Sequence, residues 1–184
     1  MMVAPCMALC ILWTDDQFKK ELGSWESAVC IGIALTRSEL PTELIGRYNL
    51  MERQHLRGST PEFRFLYRDR RPRLPVVRDG VLQLAKWGNR DGRSRFLPRT
   101  GWTWRESVEA GLWAEAGAVP VDVPASFALE RRGVWYVVEV GIRAVLVPDE
   151  FGTAVCYLIC EEASRYYRVM TGADRMPMLI GQRI

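Results

Sequence analysis

A chain of 184 residues, 48% apolar and 26% charged, has the length and composition of one soluble globular domain, and its seven Trp, six Tyr and six Phe suffice for a sizeable core. These numbers exclude a disordered, collagen-like or disulfide-stapled chain. The net charge of +3 conceals an asymmetry: residues 1–52 carry −3, residues 53–105 carry +10 and residues 106–184 carry −4.

The opening run MMVAPCMALCILW is apolar but lacks the basic start of a secretory signal. It is too short to span a bilayer and meets Asp15 and Asp16 at once, so a cytoplasmic protein with no membrane partner is expected. Over residues 14–30, Thr14 offers an N-cap and Phe18, Leu22 and Trp25 follow at helical spacing, which predicts a short helix. Pro41 ends what precedes ELIGRYNL, which reads as a strand entering the main domain, and Met51 to Arg57 suits a short helix.

Residues 63–78 are laden with Arg and hold Pro72 and Pro75, which predicts an extended, loop-like segment. VLQLAKW (81–87) alternates like a strand, and residues 88–101 form a loop rich in Gly, Arg and Pro. A helix is expected in TWRESVEAGLW, with Thr103 as cap and Glu106 completing a capping box. Residues 134–147 and 153–162 are β-branched and aromatic runs and give the best strand signals in the chain. SRYYRVM reads as helix or turn and RMPMLIG as a terminal strand. The expected fold is α+β and strand-rich, with residues 45–184 as the domain and residues 1–44 as an N-terminal extension.

Five cysteines with no CxxC pair and a single histidine, His55, argue against a disulfide framework or a metal cluster. Cys156 and Cys160 lie in an apolar run and read as small core hydrophobes. No GxGxxG in a strand–helix context, no GxxxxGK[ST] and no GxSxG occurs, so no cofactor is expected.

Thirteen of the fourteen basic residues between 53 and 105 are Arg, the side chain suited to bidentate phosphate contacts and to stacking on bases. Charge alone does not separate a nucleic-acid surface from a solvated basic face or a surface for an acidic protein.

Four segments resemble the SOS-response-associated peptidase (SRAP) family. Ile45-Gly46-Arg47-Tyr48 is similar to its opening Cys-Gly-Arg-Tyr. Pro75-Val76-Val77 followed by Lys86-Trp87-Gly88 resembles its Pro-Val-Val and Arg-Trp-Gly motifs. Pro124 to Arg131 has the spacing of its Pro-Ala-Asp-Gly-Phe-Tyr-Glu-Trp motif, and Ala173-Asp174-Arg175-Met176-Pro177 is similar to its closing His-Asp-Arg-Met-Pro. The resemblance covers roughly residues 45–181 and implies a barrel-like mixed or antiparallel sheet with short helices. It also implies a thiol that attacks the ring-opened aldehyde of an abasic site and closes a thiazolidine with its own α-amine.

On this resemblance Ile45 stands in the place of the nucleophilic Cys, Trp102 in that of an Asn and Ala173 in that of the His, leaving Glu130 as a vestigial catalytic residue. One carboxylate does not run such acid–base work, so an enzyme is not expected. Cys6, Cys10 or Cys30 would supply a thiol only by folding back over the site, and their apolar neighbours point to buried, inert cysteines. A residual enzyme using Glu130 with such a cysteine is the third reading.

The DNA-binding parts are better preserved. The resemblance implies phosphate contact at Arg47, a place for Trp87 near the junction of duplex and single strand, and a cleft position for Arg175. Arg73, Arg78, Arg90, Arg93, Arg95, Arg99 and Arg105 would follow the backbone, and Trp102 and Trp104 would offer stacking faces. Core packing competes as the reading of Trp87 and Trp104, a solvated loop as that of residues 90–99, and an ion pair as that of Arg175. The leading expectation is a non-catalytic protein that binds single-stranded, junction or abasic DNA. The alternative is a phage-type interaction protein that inhibits a host complex, with the extension capturing the host protein.

Overall fold

The structure is a computed structural model and describes residues 30–184. The expected helix over 14–30, together with Cys6 and Cys10, lies outside the described residues except for Cys30.

The architecture is α+β and strand-rich, built from two sheets that share one core. The first sheet is antiparallel, in the order β2-β3-β1-β8-β9, with β1 Gly32–Thr36, β2 Gln54–Arg57, β3 Thr60–Leu66, β8 Phe127–Leu129 and β9 Trp135–Val137. The second contains β4 Arg73–Arg78, β5 Val81–Trp87, β7 Val119–Pro124, β10 Gly141–Pro148 and β11 Ala154–Glu162. Because β10 also pairs with β11, these five strands close on themselves as a small barrel. Closure removes two exposed strand edges. The barrel is mixed, since β11 runs parallel to β5 and antiparallel to β10. Two short strands, β6 Trp102–Trp104 and β12 Arg175–Pro177, extend it along the far half of β11.

Strand β11 explains the core. Its residues 155–160 are buried in unbroken succession rather than alternately, as a central strand covered on both faces requires. A main cluster joins residues of both sheets, among them Phe63, Phe65, Trp87, Leu158 and Tyr167. A smaller cluster outside the barrel packs Leu97 and Trp113 against Val147, Tyr157 and Ile159. Among the described residues the short α-helices are α1 Thr42–Arg47, α2 Arg105–Glu109, α3 Leu112–Glu115 and α4 Arg165–Thr171.

Several expectations are corrected. The boundary drawn at 44/45 falls inside the folded unit: β1 is the middle strand of the first sheet, and Leu35, Leu40 and Leu44 are buried in the main core. ELIGRYNL is not a strand but the helix α1, entered through Pro41, whose fixed φ suits a helix start. Between Met51 and Arg57 there is only a 3-10 turn, Leu50–Arg53, followed by the edge strand β2. The stretch 63–78 holds most of β3 and all of β4, with a turn of residues 67–72 between them.

Thr103 does not cap a helix. It lies in β6, is 2% exposed and its hydroxyl has no hydrogen-bond partner among the described residues. Helix α2 starts at Arg105 with Trp104 at its N-cap and no side-chain cap. The run 134–147 is two strands, β9 and β10, with a break at residues 138–140.

The Arg-rich loop 88–101 is firmly built. Asn89 is fully buried: its amide donates to the carbonyls of Ser94 (2.9 Å) and Leu97 (2.8 Å), and its Oδ1 accepts from the Ser94 N–H (3.1 Å). At the start of the loop Gly88 has φ +63°, and a Cβ there would lie 2.1 Å from the carbonyl oxygen of Thr100. Only glycine fits, on both counts.

Candidate functional site

Two places in the structure concentrate chemistry-bearing side chains. The first is buried. Pairing of Gly32 with Leu129, continued by the Ile31 N–H on the Leu129 carbonyl (2.8 Å), brings Cys30, two residues before β1, to Glu130, just after β8. The Cys30 N–H donates to Glu130 Oε1 at 2.7 Å, and the Tyr167 hydroxyl, carried by α4, donates to the same oxygen. Glu130 is 1% exposed, and its Oε2 has no hydrogen-bond partner. Burial pushes its carboxyl up to about 7, against the opposing pull of the Tyr167 and Cys30 donors.

The Cys30 thiol is fully buried and donates to the Gly32 carbonyl at 3.4 Å. Burial drives its pKa well up, and the charges of Glu130 and of Cys160, also buried, add to the rise. It is therefore a protonated thiol at neutral pH, not a nucleophilic thiolate. The ring of Tyr136 stands edge-on to Tyr167 with centroids 5.7 Å apart. Cys30 itself holds φ +50°, an uncommon backbone state for a side chain of this kind.

Ile45 is 4% exposed on α1 and packs in the core, whereas the chain enters Glu130's neighbourhood through Cys30-Ile31-Gly32. Ala173 is half-buried against the core, and Trp102 packs its ring 4.5 Å from that of Tyr67.

The second place is basic and open. The turn 67–72, the facing ends of β4 and β5 and the loop 88–101 enclose a cavity of about 740 Å³, into which Arg70, Arg71, Arg73, Lys86, Arg90 and Arg93 project against two acids, Asp91 and Asp149. Asp91 is taken by Lys86 at 2.7 Å, which together with the N–H of Arg93 holds its carboxyl below the usual range in spite of partial burial. Asp149 accepts the N–H groups of Phe151 (3.0 Å) and Thr153 (2.7 Å) and caps its own turn. Arg90 is pinned by a 2.7 Å bond to the carbonyl of Tyr67, and Arg73 sits 5.1 Å from the ring of Tyr48. Among the described residues no carboxylate forms an ion pair with Arg70, Arg71, Arg73, Arg90 or Arg93.

The arginines singled out in the sequence thus divide. Arg73, Arg90 and Arg93 line the cavity, with Arg95 and Arg99 exposed on the same loop. Arg47 is exposed at the end of α1, next to the Tyr48 on which Arg73 rests. Arg78 lies at the opposite end of the β4–β5 hairpin, 3.5 Å from Asp79. Arg105 is paired with Glu109 (2.6 Å) and Glu161 (3.1 Å). Arg175 is paired with Glu106 (2.9 Å) and lies 4.8 Å over the ring of Trp104, so an ion pair takes its charge and its guanidinium covers that stacking face.

Trp87 is fully buried, with Nε1 donating to the Gly101 carbonyl at 3.1 Å. It is a core residue and offers no face to a base. Sequence reasoning missed Arg70, Arg71 and Lys86, although the first two stand in the Arg-Asp-Arg-Arg-Pro-Arg run. It also missed Tyr136 and Tyr167, which carried no local signal. The Cys30–Glu130 contact spans 100 residues.

Among the described residues no group of three His, Cys, Asp or Glu side chains is placed to hold a metal ion, and no helix is long and apolar enough to cross a membrane. The chain matches no known family model, no curated protein and no solved structure.

Proposed function

We propose that the protein is a SRAP-like DNA-binding protein with degenerate chemistry, holding single-stranded, junction or abasic DNA against the basic face made by residues 70–73 and the loop 88–99. The observation that carries this reading is the cavity lined by six cationic side chains, of which five arginines have no carboxylate partner among the described residues. Unpaired arginines on a rigid loop keep their forks available for phosphate oxygens, and their neutralisation by phosphate releases counterions.

Loss of the covalent chemistry is supported by the state of Cys30. Its nitrogen is a peptide amide joined to Val29 and so does not close a thiazolidine ring, and its thiol is buried and protonated. A second reading is favoured by one specific contact, the Cys30 N–H on Glu130. Under it, Cys30 captures an abasic aldehyde as a hemithioacetal, with Glu130 passing the proton.

Fluorescence anisotropy with single-stranded DNA, with and without one abasic site, at low and moderate salt, separates these readings when each sample is then run on a denaturing gel. Salt-sensitive binding without a covalent band is the expected result. A preference for the abasic strand that is lost in Cys30→Ser would replace it with the second reading, because a hemithioacetal forms reversibly and shows as added affinity rather than as a band. Absence of binding at both salts would overturn the DNA reading and turn attention to an acidic protein partner.

A further inference from the structure

The basic cavity is larger and more differentiated than a patch that only tracks a phosphate backbone. Its volume of about 740 Å³ falls within the range of about 300–1,000 Å³ typical of small-molecule sites. Its walls also differ in chemistry. Cations crowd one side, while Pro72, Leu84 and Ala154 supply an apolar wall, with Leu84 9% exposed and Pro72 buried.

The cationic side is preorganised. Arg90 is fixed to the Tyr67 carbonyl, Lys86 is fixed by Asp91, and Asn89 holds the loop from which Arg93 projects. Arg70 and Arg71 are exposed at the mouth and form no ion pair among the described residues. An acidic peptide would satisfy the arginines but would bring nothing flat and apolar to the opposite wall. A nucleoside phosphate brings both, with phosphate oxygens matched to guanidinium forks and a base or sugar face for the apolar side.

We infer that this cavity is a binding site for one nucleoside phosphate, with Arg70, Arg71, Arg73 and Arg93 on the phosphate and the Pro72–Leu84 wall against the sugar or base. The unit comes either from a free nucleotide or from a strand, and in its strand arm the inference rests on the DNA-binding reading.

The test uses the full chain in two arms. In the first, deoxyadenosine monophosphate and inorganic phosphate are titrated calorimetrically, with polyglutamate as a third probe. The nucleotide is expected to bind about tenfold or more tightly than inorganic phosphate; equal affinity, or tighter binding of polyglutamate, overturns the inference. In the second, a fluorescein-labelled oligothymidylate is bound by the wild type, by Arg70→Ala/Arg93→Ala and by the control Arg143→Ala/Arg183→Ala, which removes the same charge elsewhere. The cavity variant should lose at least tenfold in affinity, and its salt slope should fall by about 1.4, roughly 0.7 for each single-strand phosphate contact. The control should retain both.

If the wild type binds the oligonucleotide and the cavity variant binds it equally well, the inference falls and the DNA reading stands. If the wild type binds the mononucleotide but no oligonucleotide, and the variant loses the mononucleotide, the DNA reading falls and the cavity remains a free-nucleotide site. If the wild type binds neither, both are overturned. Arg70 and Arg93 are exposed and make no ion pair among the described residues, so the variant should keep the wild-type melting temperature, and the first arm needs no variant.

Discussion

The main-chain N–H of Cys30 donates to the carboxylate of Glu130 at 2.7 Å, joining the entry to β1 with the exit from β8 across 100 residues of sequence. Both partners are out of water, and among the described residues Glu130 forms no ion pair; its Oε1 accepts from an amide and a phenol. A carboxylate in this setting is better tolerated with its proton on.

That relationship fixes a pH dependence of stability. Glu130 ionises near the ordinary 4.5 when unfolded and at about 7 when folded, so the native state holds the extra proton between these values. The stabilisation is complete below pH 4.5 and is lost as pH rises through 7. At about 1.4 kcal/mol per pH unit over the interval from 4.5 to about 7, the full loss is about 3.5 kcal/mol. Glu130→Gln should flatten this limb. Urea titrations at pH 5, 6, 7 and 8 check it, and a wild-type stability that rises across this range would contradict the burial argument.

The cysteine thiols of the described residues should resist alkylation in the folded protein. Cys30, Cys156 and Cys160 are each fully buried, and burial raises the pKa of each thiol. Peptide mapping after iodoacetamide treatment at pH 8 should find these three unmodified without denaturant and modified in its presence. Selective labelling of Cys30 under native conditions would mean that the pocket around Glu130 opens.

Much of the fold was legible because burial leaves a pattern. The unbroken apolar run of β11 and the alternation of β5 marked both strands directly. Where the sequence misled, charge hid the pattern. Glu62 and Arg64 alternate with Phe63 and Phe65 in β3, and Glu62, 1% exposed, is enclosed by Arg57 (2.6 Å) and Arg64 (2.7 Å), so a strand with buried ions looked like a polar loop. Helix α1 was missed because six residues give too few turns for a periodicity to show.

The candidate site was legible as composition and illegible as pairing. An Arg count locates a basic region. Which guanidinium is free depends on partners such as Glu106, 69 residues from Arg175, and Glu161, 56 residues from Arg105. The same long range concealed Cys30 beside Glu130.

Asn89 should matter more than its place in a surface loop implies. Its three hydrogen bonds are buried, and each is worth about 1 kcal/mol net, with a further penalty for the Ser94 N–H and the two carbonyls left without a partner. Asn89→Ala is expected to cost about 2–4 kcal/mol in urea denaturation and to speed tryptic cleavage within residues 90–99. An unchanged cleavage rate would show that Asn89 does not set the shape of the loop.

Trp87 separates packing from recognition. Its ring is fully buried, edge-on to Tyr67 with centroids 5.2 Å apart, and its indole N–H is satisfied by Gly101. Truncating such a side chain to Ala costs about 3–5 kcal/mol, and Trp87→Leu should cost a good part of that. A base stacked on this ring would contribute about 1–3 kcal/mol to DNA affinity. With the ring out of reach, Trp87→Leu, studied at a temperature where it remains folded, should bind single-stranded DNA as the wild type does and with the same salt slope. A tenfold loss of affinity in a variant shown to be folded would place Trp87 at the DNA surface and overturn its assignment to the core.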